Sequence, residues 1–154
     1  MTKIAEGQKA PLFEGTDQNG KKVSLAEFKG KKVVLYFYPK DDTPGCTAEA
    51  CNLRDNYSEL IGKGFSVIGV SPDNEKSHAK FAEKYNLPFP LLADPNKKIL
   101  ESYGAWGEKN MYGKKVFGVI RSTFLIDEKG IIEKVISKVD TKEHAGQILK
   151  IYEK

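Results

Sequence analysis

The chain has 154 residues, of which 40% are hydrophobic and 30% charged, with a net charge of +4. That length suits one compact domain, taken here as 1–154, because folding at this size removes roughly 70% of the chain surface from water. No apolar run approaches the roughly 20 residues that span a bilayer, and Met1–Glu6 lacks the apolar core of a secretory signal, so a cytoplasmic protein with no membrane partner is expected.

The positive charge is almost all lysine, with only Arg54 and Arg121 as arginines. The lysines are spread along the chain and interleaved with acids, where a nucleic-acid footprint would gather them on one face. They read as a solubilising surface, and no nucleic-acid partner is expected. Two cysteines are too few for a structural disulfide framework, which leaves redox or catalytic duty. His78 and His144 stand far from both cysteines and from each other, so zinc spacing is absent and no metal is expected.

In chain order, Leu12-Phe13 and Val23-Ser24-Leu25 around Asp17–Gly20 predict an early hairpin. Val33–Tyr38 is a continuous β-branched and aromatic run, the mark of a strand buried on both faces, and it stops at Pro39. A helix is predicted from about Thr43 to Ile61, with Thr43 at the N-cap and Pro44 at the first helical position. Phe65–Val70 reads as a second core strand, and Ser71-Pro72-Asp73 opens a helix carrying Phe81 and Tyr85. Phe89–Leu92 suggests a short strand, and Lys97–Tyr103 a short helix. The glycine-rich stretch Gly104–Gly118 reads as an ordered loop. Ser122–Asp127 and Ile131–Val139 predict a hairpin, and a last helix runs from about Thr141 to Tyr152. The pattern is α/β: a mixed central sheet flanked by helices, with an N-terminal β-hairpin.

Cys46 carries most of the chemical information. In the first turn of a helix it meets free backbone N–H groups and the positive end of the helix dipole, which favour the nucleophilic thiolate. Position alone fits equally a cysteine buried as a small apolar residue. Cys51 lies five residues on, where helix geometry gives a Cα separation of roughly 8.6 Å. A disulfide needs roughly 4.4–6.8 Å, so the two thiols cannot bond while the helix is wound. A bond made by unwinding would be strained and easily reduced, a liability in a structural bridge and an asset in a catalytic one. Taken alone, Cys51 also fits as filler on the helix face. Thr43 puts a hydroxyl near Cys46. The guanidinium fork of Arg121 could hold a thiolate and polarise an oxygen, although spacing by itself suggests a surface ion pair.

Pro39-x-x-x-Thr43-x-x-Cys46 resembles the active-site pattern of the peroxiredoxins. The longer string Tyr38–Cys51, together with Trp106–Lys109, Tyr112–Lys114 and Arg121–Asp127, is similar to the bacterioferritin-comigratory-protein (peroxiredoxin Q) subfamily. The resemblance runs from Gly7 to the last helix and implies a thioredoxin-like fold. It implies that Cys46 attacks the peroxide and becomes a sulfenic acid. It implies that Thr43, Arg121 and the N–H groups at Cys46 bind the peroxide oxygens, with Pro39 shielding the site from water. Cys51 would resolve the sulfenic acid as an intramolecular disulfide, and thioredoxin or a similar dithiol protein would reduce it. A monomer would suffice, and the resemblance implies no haem, flavin, metal or other cofactor. A thioredoxin-like disulfide oxidoreductase or thiol-dependent chaperone is the first rival, against which stands the absence of a Cys-x-x-Cys pair. A redox-inert binding domain is the second.

Overall fold

The structure, a computed structural model, describes residues 4–152. The ends of the expected domain, 1–3 and 153–154, and with them the start of the stretch read for a secretory signal, lie outside the described residues. The early hairpin is present, with β1 (Glu14–Thr16) antiparallel to β2 (Lys22–Ser24). Its first arm starts after Phe13, and Leu12 is exposed. Asp17 Oδ1 accepts the N–H groups of Asn19 and Lys21, and Gly20 closes the turn in the left-handed region at φ 77°, where a side chain would be strained.

The apolar run at 33–38 becomes β3 (Lys32–Phe37), with every residue after Lys32 buried. Side chains alternate across a strand. Val33, Leu35 and Phe37 enter one core, while Val34, Tyr36 and Tyr38 enter the other. The predicted long helix is two helices, α1 (Pro44–Asp55) and α2 (Tyr57–Gly62). Asn56 interrupts it because its side-chain amide takes the Asn52 carbonyl at 2.8 Å, a local bond that competes with continued helix.

Then follow β4 (Phe65–Ser71), α3 (Glu75–Tyr85), β5 (Leu91–Ala93) and α4 (Lys98–Ser102). The N-cap of α3 is Asn74, whose side chain accepts the Ser77 N–H at 2.8 Å. The stretch expected to be a loop is instead a two-stranded ribbon, β6 (Trp106–Met111) paired with β7 (Lys114–Val119). Tyr112 and Gly113 both take positive φ at the tip, the conformation of a tight hairpin turn. The last elements are β8 (Ser122–Ile126), β9 (Ile132–Ile136) and α5 (His144–Ile151).

Seven strands form one sheet in the order β2-β1-β5-β4-β3-β8-β9. β3 runs parallel to β4 and antiparallel to β8, so the sheet is mixed. One face is covered by α1, α2, α3 and α5 through Ala50, Leu53, Leu60, Phe81, Ala145 and Ile148. The other is covered by α4 and the N-terminal segment through Ala10, Phe13, Ile99, Leu100 and Tyr103. Full burial of a leucine such as Leu53 contributes about 2 kcal/mol, which ties α1 to the sheet. Among the described residues no helix is long and apolar enough to cross a membrane.

Candidate active site

The site lies at the carboxyl end of β3, a usual place for chemistry in an open α/β sheet. Tyr38 continues the strand into the core, half-buried Pro39 follows, and the chain turns through residues 40–43 into α1. That turn is fastened to α3. Asp41 is buried and accepts from the Tyr38 hydroxyl and the Ser77 hydroxyl, both at 2.7 Å. His78 Nδ1 lies 2.7 Å from the same carboxylate, while His78 Nε2 donates to the Leu92 carbonyl. Asp42 takes a positive φ and meets Lys84 and the Tyr85 hydroxyl, each at 2.8 Å. Asp41, Asp73 and His78 have ligand atoms within 4.8 Å of one another. Those atoms are taken up by this network, Asp73 Oδ2 accepting from the Asp41 N–H and the Ser71 hydroxyl. The cluster is an anchor for the turn.

Thr43 occupies the N-cap with extended backbone, as expected, but its side chain makes no capping bond. Its hydroxyl donates back to the Lys40 carbonyl at 2.9 Å. The first helical bond runs from the Thr47 N–H to the Thr43 carbonyl, which leaves the N–H groups of Gly45 and Cys46 without a helical acceptor. Cys46 is 1% exposed at this helix start. A sulfur there is shielded from bulk water and faces the positive end of the helix.

Arg121 is not the surface ion pair that spacing suggested. The β3–β8 register sets Phe37 opposite Ser122, so the residue before Ser122 falls beside the end of β3. From there Arg121 Nη2 donates to Cys46 Sγ at 3.2 Å, and Nη1 donates to Glu49 Oε1 at 2.6 Å. One planar fork thus spans the thiol and a carboxylate one turn further along α1, a geometry lysine cannot reproduce.

Cys51 sits in the same unbroken helix, half-buried and free, as is Cys46. Burial pushes its thiol above the ordinary value, so it is a poor nucleophile where it stands. Its half of α1 is fastened at two further points. Asn52 Oδ1 accepts the Ala145 N–H at 2.8 Å, and Arg54 Nη1 donates to the Tyr85 carbonyl at 2.7 Å.

Three buried neighbours escaped the sequence reading. Glu49 is fully buried, and burial drives its carboxyl up to about 7 against the opposing pull of Arg121. Its spacing of three from Cys46, on one helix face, was the available signal. Burial likewise pushes the Tyr36 hydroxyl well above its ordinary value, with Glu49 and Cys46 adding to the rise. His144, at the start of α5, lies with Nε2 3.5 Å from Glu49 Oε2. No local pattern pointed to it.

Residues 6–135 match the AhpC/TSA family. The chain belongs to that family, among its peroxiredoxins. It is 48% identical to peroxiredoxin Bcp of Bacillus subtilis over 146 residues, covering 95% of this chain and 93% of the relative. It is 44% identical to peroxiredoxin Bcp of Escherichia coli over 149 residues, covering 97% and 98%. A solved structure of the Xanthomonas campestris bacterioferritin comigratory protein, studied for its alkyl peroxide reduction activity, superposes with a TM-score of 0.85 at 36% identity, covering 90% of this chain and 88% of that one. This peroxiredoxin therefore has the thioredoxin-like fold that the resemblance implied. Peroxidase function goes with the family.

Proposed function

We propose that this peroxiredoxin reduces hydrogen peroxide and organic hydroperoxides with Cys46 and stores the oxidation as a disulfide to Cys51. The contact between Arg121 Nη2 and Cys46 Sγ, 3.2 Å at a helix start, carries the reading. The Cys46 thiolate attacks one peroxide oxygen, and the O–O bond breaks. The sulfur becomes a sulfenic acid, and the departing oxygen takes a proton and leaves as water or an alcohol. Arg121 and the free N–H groups of Gly45 and Cys46 donate to the oxygen that gains negative charge, the arrangement that favours a transition state over a ground state. Thr43 complements them. Its proton is committed to the Lys40 carbonyl, so Oγ1 meets the peroxide as an acceptor for its O–H. Pro39, half-buried beside the turn, limits the access of water.

The Cys51 thiol then condenses with the sulfenic acid, releasing water and forming the disulfide. Both cysteines lie in α1, where a wound helix holds their Cα atoms roughly 8.6 Å apart. The condensation therefore includes opening of α1, which also frees the Cys51 sulfur from the burial that keeps it protonated. A dithiol protein such as thioredoxin supplies two electrons and restores both thiols. One chain contains both cysteines, so a monomer completes the cycle.

Steady peroxide consumption with a thioredoxin system tests the reading. Wild type turns over continuously and Cys46→Ser is inactive, while Cys51→Ser reacts once and stalls unless a small thiol such as dithiothreitol is added. Turnover undiminished in Cys46→Ser would overturn it.

A further inference from the structure

Glu49 and His144 meet behind Arg121 in a way that the peroxide chemistry leaves unused. His144 Nδ1 lies 2.9 Å from Gln147 Oε1. The orientation of that amide is fixed, because its nitrogen donates to the Lys138 carbonyl and its oxygen accepts the Asp140 N–H. Nδ1 therefore carries a proton. In the neutral ring Nε2 then holds the lone pair, and the Thr123 hydroxyl donates to it at 2.8 Å.

Glu49 Oε2 lies 3.5 Å from the same Nε2, beside the Thr123 hydroxyl that takes its lone pair. Both side chains are fully buried, and among the described residues Oε2 has no hydrogen-bond partner. An ionised carboxylate oxygen left without a donor in the interior, beside a neutral imidazole, is costly, and a proton on either group removes the cost. Burial favours the neutral form of each group, raising Glu49 and lowering His144. The proton accordingly resides on Glu49 Oε2 below neutrality.

We propose that His144 is a positioning residue. Together with Glu49 it keeps a single proton behind Arg121, and loss of that proton draws the charge of Arg121 away from Cys46 and toward Glu49. The groups facing the pair are few. Cys46 shares α1 with Glu49, Tyr36 looks in from β3, and Arg121 and Thr123 come from the segment leading into and along β8. Asp140 acts on His144 from ahead of α5, and Asp41 acts on Tyr36. Among these only Arg121 bridges the pair to the sulfur, with one arm on each. With Glu49 neutral, the full positive charge serves the thiolate and the developing negative charge on the peroxide. With Glu49 ionised, part of it is neutralised and the peroxide step slows.

The inference deepens the peroxidase reading, so its test uses a readout that needs no peroxide. In a Cys51→Ser background, the rate of Cys46 alkylation by iodoacetamide is followed from pH 5.5 to 9, alongside the rate of Cys46 oxidation by hydrogen peroxide. Both profiles should contain, besides ionisation of the sulfur, a second step near pH 7. That step disappears in Glu49→Gln. It moves to lower pH in His144→Gln, whose amide N–H stands where Nε2 was, donates to Oε2 and favours the carboxylate. Should His144→Gln fail to fold, infrared difference spectra of the protein with His144 intact give the same answer: a protonated carboxyl band lost between pH 6 and 8 and absent in Glu49→Gln. Superimposable profiles for the protein with and without His144, or no carboxyl band at pH 6, would overturn the inference. A normal alkylation profile without peroxide reactivity would instead overturn the peroxidase reading and leave this one standing.

Discussion

Closure of the Cys46–Cys51 disulfide depends on how firmly the second half of α1 is held, and Asn52 gives a handle on it. Its Oδ1 accepts the Ala145 N–H at 2.8 Å, one residue beyond Cys51. Asn52→Ala removes the acceptor and leaves the N–H of a fully buried residue at the start of α5 unpaired. Such a loss costs about 1–3 kcal/mol, and a donor in a first helical turn, where water can enter, belongs near the lower end. At about 1 kcal/mol, a state in which this bond is already broken gains about fivefold in population. If the Cys51 half of α1 must come away from α5 before Cys51 reaches Cys46, disulfide formation from the sulfenic acid accelerates by that factor. Further oxidation to the sulfinic acid, which competes for the same intermediate, falls in proportion. The assay is rapid mixing with excess hydrogen peroxide, acid quench and intact mass, with the ratio of disulfide to sulfinic acid read for wild type and variant. An unchanged ratio in a variant whose urea unfolding shows the lost stability would refute the reasoning. The opening would then be confined to the first turn, with Cys51 left in place.

Gly45→Ala looks from sequence like the way to stiffen that first turn, at a gain of about 1 kcal/mol. Its methyl would stand 3.3 Å from Arg121 Nη2, so slower Cys46 oxidation should accompany the steadier helix in stopped-flow measurements. An unchanged rate would mean that Arg121 gives way freely. Arg121→Lys keeps the charge but cannot reach Cys46 and Glu49 together, so the second-order rate of Cys46 oxidation should fall by about 10²-fold or more. A fall of less than tenfold would show that the fork is dispensable. The carboxyl of Glu49 is raised on folding from 4.5 to about 7, so the protonated form favours the folded state. That stability is complete below pH 4.5 and is lost as the pH rises through 7, amounting to about 3 kcal/mol at about 1.4 kcal/mol per pH unit. Urea midpoints should decline between pH 5 and 8 in wild type and much less in Glu49→Gln. Equal slopes would refute it.

Local patterns carried the sequence reading a long way. The run Val33–Tyr38 can only be a strand buried on both faces, and Pro44 marks a helix start, so Cys46 was placed correctly before any tertiary contact was known. Spacing alone does not reveal its partners, although the resemblance implied Arg121, and the reason is a matching one. Arg121 reaches Cys46 because β8 pairs with β3 in a register fixed by side chains 85 or more residues apart in sequence, as Phe37 and Ser122 are. His144 meets Glu49 only after α5 docks on α1, and nothing near either residue encodes that docking. The β6–β7 ribbon was hidden by its glycines. Gly107 and Gly118 pair across the ribbon, yet in a linear reading they look like loop residues, and the Tyr112-Gly113 turn is short enough to pass unnoticed. The break at Asn56 is smaller in kind: one amide competing for a carbonyl within a pattern that otherwise continues to Ile61.

The cycle assigned to Cys46 and Cys51 is tested most directly by intact mass of the reduced protein after one equivalent of hydrogen peroxide, quenched at short times. The account predicts rapid loss of two hydrogens in wild type, no change in Cys46→Ser, and one added oxygen in Cys51→Ser. Loss of two hydrogens that persists in Cys46→Ser, or oxidation no faster than that of an ordinary exposed thiol, would contradict it.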